Sequence, residues 1–342
     1  MPIAETDMTI PASAETGKLN IMHLKRYWWK SMAKRARQID QNAFEEEWAA
    51  DVMLLSILGL GLEQTIRYLY NEHPGFEELE DWILGVNNGY ISPERIKDFN
   101  DQLTGKSGPV TEGVSKILTE ADLAHWDEHG YVILRGAAPK EDCEKTVALI
   151  CEYLGIDRND AGTWYNHHKD RQGIMVQLFQ HEQLQKNRDS AIIRQAFEQL
   201  WGRKDILVNT DRVGFNPPET ETYKFPGPGL HWDVSLAMPM PFGTQGILYL
   251  ADTAANQGAF TLIPGFNNTL ESWLKGLPPG ANPRTQDLYA LNPLPIAANA
   301  GDFILWHHAL PHGSSPNTHH LPRFVQYINY QPIDPEIRKE WI

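Results

Sequence analysis

The sequence predicts a mainly β protein with α: a jelly-roll core, flanking helices and an N-terminal helical region. Three observations carry this. In the second half, short strand-like runs at 206–209, 246–251, 259–263, 302–308 and 324–330 alternate with Gly and Pro clusters, the punctuation of packed antiparallel sheets. From Leu19 to Leu103 apolar residues recur at helical spacing, and no strand signal interrupts them. Between these regimes lies Thr104-Gly-Lys-Ser-Gly-Pro109, a linker by composition. The expected organisation is a disordered lead over 1–18, a helical region over 19–105 and one β domain over 110–342.

Each element has a local reason. Leu24, Trp28, Met32 and Ala36 recur four apart, as on one helix face. The apolar stretch 44–70 is broken at Gly59 and Gly61, and His73-Pro74-Gly75 makes a turn before a helix over 76–86. Ser92 followed by Pro93 is an N-cap with proline at the first helical position. Beyond the linker, 119–129 reads as a capped helix and 131–135 as a strand. The runs 139–154 and 190–201 read as helices closed by Gly155 and Gly202. The basic run 25–37, with six Lys and Arg, is expected to be one solvated helix face.

Composition sets limits. Thirty Lys and Arg against 44 Asp and Glu give a net charge of −14, which disfavours nucleic acid and anionic membrane as partners. Cys143 and Cys151 are the only cysteines, too few for a disulfide framework or a Cys-rich zinc site. The first residues carry Glu5, Asp7 and Glu15 and lack the basic start and apolar core of a signal peptide. A cytoplasmic protein is expected.

Three features carry chemistry. His231-Trp232-Asp233 follows a Pro226-Gly-Pro-Gly229 turn; in a strand, His231 and Asp233 would face the same side. His312 stands in Leu310-Pro-His-Gly-Ser314, and Arg323 opens the run 323–330. Two histidines and a carboxylate form a facial triad that leaves positions open on iron(II). An arginine inside a barrel supplies a planar fork for a carboxylate. His307 and His308 are rivals for the distal ligand, and His319-His320 a weak second metal candidate. The run Trp164-Tyr-Asn-His-His-Lys169 reads equally as a substrate mouth or a solvated loop.

From about Leu118 to Pro332 the sequence resembles the phytanoyl-CoA dioxygenase-like (PhyH) family of iron(II)/2-oxoglutarate oxygenases. The resemblance rests on Gly130-Tyr-Val-Ile-Leu-Arg-Gly136, Asp211-Arg-Val-Gly-Phe215, His231-Trp-Asp233 and Gln245-Gly-Ile-Leu-Tyr-Leu-Ala-Asp252. It continues through Gln257-Gly-Ala-Phe-Thr-Leu-Ile-Pro-Gly265, Gly301-Asp-Phe-Ile-Leu-Trp306 and Leu310-Pro-His-Gly, and ends on Pro322-Arg-Phe-Val-Gln-Tyr-Ile328. The resemblance implies a double-stranded β-helix of the cupin-like kind. It implies His231, Asp233 and His312 as iron ligands and Arg323 as partner of the distal carboxylate of 2-oxoglutarate. Ser314 would assist that pairing, Tyr249 would lie beside the co-substrate, and Gln177 or Asn209 would supply an upstream polar group. The implied reaction consumes O2 and 2-oxoglutarate, hydroxylates an unactivated C–H bond of a small metabolite, and releases succinate and CO2. Asp233 stands where related halogenases lack a carboxylate, so hydroxylation is implied over halogenation, with desaturation and ring formation left as alternatives. The alternatives are a cupin-like metalloenzyme that does not use 2-oxoglutarate and a non-catalytic jelly-roll binding protein. The resemblance does not cover 19–105, which is left as a lid, an oligomerisation element or a partner-docking module.

Overall fold

A computed structural model describes residues 9–106, 108–336, 338 and 340–342. The chain forms two compact units. The first comprises Met1–Gly113, Arg203–Thr210 and Gln331–Lys339; the second comprises Val114–Gly202, Asp211–Tyr330 and Glu340–Ile342. The expected β domain over 110–342 is thus interrupted twice, because two of its segments belong to the helical unit. Helix accounts for 37% of the chain and strand for 14%, so "mainly β" does not describe it. The predicted strands exist but are short, and the connections between them carry most of the second half.

The first unit is built on α1 (Leu24–Arg35), α2 (Trp48–Ile57), α3 (Leu62–Glu72), α4 (Phe76–Val86) and α5 (Pro93–Leu103). The α2–α3 break falls at the two glycines, with Gly59 at φ +63°, a conformation that favours glycine. Ser92 Oγ accepts the Arg95 amide, as the Ser-Pro pair predicts. The core includes Leu24, Met32, Leu54, Leu58, Leu69, Leu79, Ile83 and Phe99, with Leu207 and Ile333 packed against it from the two returning segments. Strand β4 (Ile206–Val208) pairs with β12 (Tyr330–Pro332) in a two-stranded ladder.

Two expectations for this unit change. Of the predicted disordered lead, residues 1–8 lie outside the described residues, but 9–18 are tied to the helices. Arg26 Nη1 donates to the Pro11 carbonyl at 2.9 Å, the His23 amide donates to the Ser13 carbonyl at 2.7 Å, and Lys18 pairs with Asp81. The basic run is not one solvated face either. Lys30 is 3% exposed and its Nζ reaches Glu47 at 2.7 Å and Asp51 at 2.8 Å, while Arg26 grips Glu47 at 2.6 Å. His23 joins the network at 2.9 Å from Asp51. Burial would raise the Glu47 carboxyl, but hydrogen bonds from Arg26 and Lys30 outweigh it and lower the carboxyl to about 2.

The second unit opens with α6 (Glu120–His129), whose Thr119 and Asp122 form a capping box. Then follow β1 (Tyr131–Leu134), α7 (Lys140–Leu154), β2 (Arg171–Gln172), β3 (Met175–Val176), α8 (Glu182–Arg188) and α9 (Ala191–Trp201). The remaining elements are β5 (Val213–Asn216), β6 (Thr244–Tyr249), β7 (Phe260–Leu262), α10 (Phe266–Gly276), β8 (Leu294–Pro295), β9 (Phe303–His307), β10 (His312–Ser314) and β11 (Arg323–Tyr327). Helices α8 and α10 have no counterpart in the sequence reading.

A seven-stranded sheet runs β1-β9-β6-β11-β5-β3-β2 and a three-stranded sheet runs β10-β7-β8. All their pairings are antiparallel. Both contribute to one core: Ile247, Tyr249, Ile304, Trp306 and Val325 from the large sheet, Phe260 and Leu262 from the small one. The period of two explains the selection, since alternate residues of each strand face inward. The outward residues are covered in turn, as where Phe197 of α9 lies 6.0 Å from Phe303, centroid to centroid.

Candidate metal centre

His231 and His312 are brought together by the backbone. They form an isolated antiparallel bridge, with both N–H···O bonds made, at 2.9 and 3.0 Å. Residues directly opposed in such a pair project to the same face, so the rings lie 5.0 Å apart. Asp233 is not in a strand, as the alternation argument supposed; it sits in a bend just past the bridge. One ligand atom from each of the three residues lies within 4.8 Å of the others.

Each ring is oriented in the same way. His231 Nδ1 is 2.8 Å from the Gly229 carbonyl, and His312 Nδ1 is 3.0 Å from the Leu310 carbonyl. A carbonyl oxygen only accepts, so each Nδ1 carries the hydrogen and each neutral ring presents a bare Nε2. Those two nitrogens face Asp233 at 3.2 Å from Oδ1 and 3.2 Å from Oδ2. Lone pairs opposed at that distance need a proton or a cation between them, and two imidazoles with a carboxylate are the donor set of an iron(II) triad. Burial would raise the Asp233 carboxyl, but its bonds to His231 and His312 hold it far below the ordinary range. Burial works against a charge on His231, yet the same carboxylate raises the imidazole above its usual value.

His307 and His308 do not compete. The His307 Nδ1 accepts the Ala309 amide at 3.0 Å, and burial followed by the neighbouring His308 lowers that imidazole to about 4. His308 Nε2 is held by the Pro241 carbonyl at 2.7 Å. His319 and His320 stack on one another at 4.1 Å and join no metal-ligating group among the described residues.

Arg323, at the head of β11, is fully buried; its guanidinium faces the Tyr327 hydroxyl, but among the described residues no carboxylate pairs with it and none of its nitrogens has a well-aligned hydrogen bond. Val325 and Tyr327 follow it on the same strand face. Tyr327 lines a cavity of about 150 Å³ together with His231, Asp233, His312 and Ser314. Ser314 is buried at the end of β10, two residues beyond His312. A buried cation left unpaired is costly, and a dicarboxylate ligand with one end near Ser314 would satisfy it. The residues present therefore fit both iron and 2-oxoglutarate.

Of the other expected contributors Gln177 and Asn209 lie elsewhere, while Tyr249 stands on the inward face of β6, opposite Val325 and within reach of the Arg323 charge. The Tyr249 hydroxyl donates to the Ile296 carbonyl at 2.8 Å and accepts the Phe260 amide at 2.8 Å. Its job is to join the two sheets, and burial pushes the phenol up to about 12. Gln177 Nε2 donates to Gln172 at 3.4 Å, and the side chain does not line the cavity. Asn209 belongs to the helical unit, where it accepts from Ser56 Oγ at 3.0 Å. The sequence reading missed Gln245, whose Nε2 donates to Asp233 Oδ2 at 2.7 Å. A signal was present: Gln245 lies four before Tyr249 on β6 and so shares its inward face.

Comparison with known proteins identifies the family. The sequence profile of the phytanoyl-CoA dioxygenase (PhyH) family matches residues 126–325, a span that includes all three triad residues and Arg323. The chain belongs to this family, and it is an enzyme of the iron(II)/2-oxoglutarate oxygenase class. A putative phytanoyl-CoA dioxygenase of Dictyostelium discoideum is 22% identical over 258 residues, covering 60% of this chain and 74% of the relative. Among solved structures, iron-bound EctD from S. alaskensis is 16% identical, covers 67% of this chain and 85% of its own, and has a TM-score of 0.47. The epimerase SnoN, solved with Fe3+, alpha ketoglutarate and nogalamycin RO, is 16% identical, covers 62% and 83%, and has a TM-score of 0.46.

Proposed function

We propose that the protein hydroxylates an unactivated C–H bond of a small metabolite, consuming 2-oxoglutarate and O2 and releasing succinate and CO2. We read its two antiparallel sheets as the double-stranded β-helix of that chemistry. The observation that carries the proposal is Arg323, fully buried with no carboxylate partner among the described residues, on the strand whose far end, at Tyr327, lines the triad cavity. When bound, iron(II) would supply the redox chemistry that couples decarboxylation of the co-substrate to C–H oxidation.

The chain's own residues do the positioning. The Gly229 and Leu310 carbonyls fix both imidazole tautomers, so the two Nε2 atoms and the Asp233 carboxylate offer one face to the metal and leave the opposite face open. Arg323 anchors the far carboxylate of 2-oxoglutarate and so sets its orientation. Phe260, Trp306, Met175 and Pro228 form an apolar wall that limits water, while Asp211, Arg212 and Asn329 add polar groups to the same cavity and orient the substrate. Succinate formation with Fe(II), 2-oxoglutarate and a metabolite panel tests this reading. The wild type is expected to form succinate, and Asp233→Ala to remain at background. Equal rates for the two proteins, or no turnover across the panel, would overturn it.

A further inference from the structure

Asp233 lies in a bend past the isolated His231–His312 bridge, yet a metal ligand must be held firmly. We infer that Arg284 and the chain's last residues form a brace for the Asp233 bend, making Arg284 a positioning residue for the metal; this rests on the triad reading above. Arg284 Nη1 donates to the Trp232 carbonyl at 2.8 Å and Nη2 to the Val234 carbonyl at 2.5 Å. These are the two carbonyls that flank Asp233, and among the described residues no strand partner takes them. The same guanidinium donates through Nε at 3.0 Å and Nη2 at 2.8 Å to the Ile342 backbone oxygen, and lies over the Trp341 ring at 4.8 Å.

The last residues grip the bend a second time. Ser235 Oγ donates to the Glu340 carbonyl at 2.6 Å, the Ile342 amide donates to Ser235 Oγ at 3.3 Å, and the Leu236 amide donates to the Ile342 oxygen at 3.3 Å. On the bend's other side, the buried Trp232 indole donates to the Ala309 carbonyl at 2.9 Å, three residues before His312. A guanidinium suits this role because its fixed fork spans several acceptors at once, whereas a lysine ammonium is a point donor. The residues that orient a metal ligand carry part of the metal's affinity.

The test uses metal-stripped full-length protein and Mn(II) alone, with the free ion read by electron paramagnetic resonance. Arg284→Ala is expected to weaken Mn(II) binding by about 10- to 100-fold, and Arg284→Lys by less, because outer partners of metal ligands have effects of that size. Removing Glu340–Ile342 should weaken it in the same direction. In an Asp233→Ala background, Arg284→Ala should change Mn(II) affinity by less than about twofold, since the brace then has no ligand to hold. Wild-type affinity in Arg284→Ala, or an equal loss with and without Asp233, would overturn the brace. Should Arg284→Ala fail to fold, Arg284→Lys and the truncation decide in the same terms. A wild type that binds no Mn(II) would overturn the triad reading, and the brace with it.

Discussion

Arg323 shows how one residue ties fold to function. Its burial with no carboxylate partner among the described residues costs stability that binding of an anion can return. Arg323→Met is therefore expected to raise the melting temperature of the ligand-free protein by several degrees and the KM for 2-oxoglutarate by about 100-fold or more. Thermal scans and initial rates check both; a variant less stable than wild type, with an unchanged KM, would contradict the assignment. Gly313 gives a second prediction at this scale. A Cβ there would lie 2.3 Å from the Gly229 backbone oxygen, on the very residue that orients His231. Gly313→Ala should separate β10 from that turn, destabilise the protein by about 2 kcal/mol or more, and reduce Mn(II) affinity. At this scale the sequence was most legible where spacing constrains chemistry: His231, Asp233 and His312, whose ligand atoms the fold brings together. It was least legible for Asn209, whose partner at Ser56 comes from folding, not from spacing.

Among the elements, the contact of α1 with the start of α2 makes a pH prediction. The Glu47 carboxyl is lowered to about 2 in the folded chain, against about 4.3 when unfolded. A depressed folded pKa contributes stability that is present above the unfolded value and lost as pH falls through the folded one. Between pH ~4.5 and pH ~2 the protein should lose on the order of 2–3 kcal/mol from this group. Glu47→Gln should be less stable at pH 7 and lose less over that window, as chemical denaturation at several pH values would show; parallel curves for the two proteins would contradict it. Lys30 escaped the sequence reading because helical charge patterns do not say which cations meet carboxylates from another helix. The helices themselves were legible through caps and periodicity, with Ser92, Thr119 and Gly155 where expected. The strand content was overestimated, because runs such as 206–209 and 324–330 are longer as apolar patterns than as ladders; Asn209 does not pair, and the run 324–330 is split, with Arg323–Tyr327 in the large sheet and Tyr330 beginning a separate strand.

For the molecule as a whole, the helical unit is discontinuous in sequence. Leu207 and Ile333 pack on the same core as Leu24 and Leu54, so the linker at 104–109 is not a place to cut the chain cleanly. Deleting residues 1–107 strips that cover from both segments, and the product is expected to aggregate or to be cleaved by protease within 203–210 and 331–339. A soluble, protease-resistant fragment would show that these segments stand without the helices. No linear reading of composition finds this return, because the two segments carry no signal beyond ordinary strand and loop character. The His231–His312 bridge, finally, bears on how such a chain can vary over evolutionary time. It closes a loop of some eighty residues, and the entropy of closing a loop rises only slowly, by about 0.6 kcal/mol for each doubling of length. Insertions in exposed turns between the two histidines should therefore be tolerated with the metal centre intact. One residue added between Gly229 and His231, or between Leu310 and His312, would turn a ring away from its carbonyl and end the chemistry.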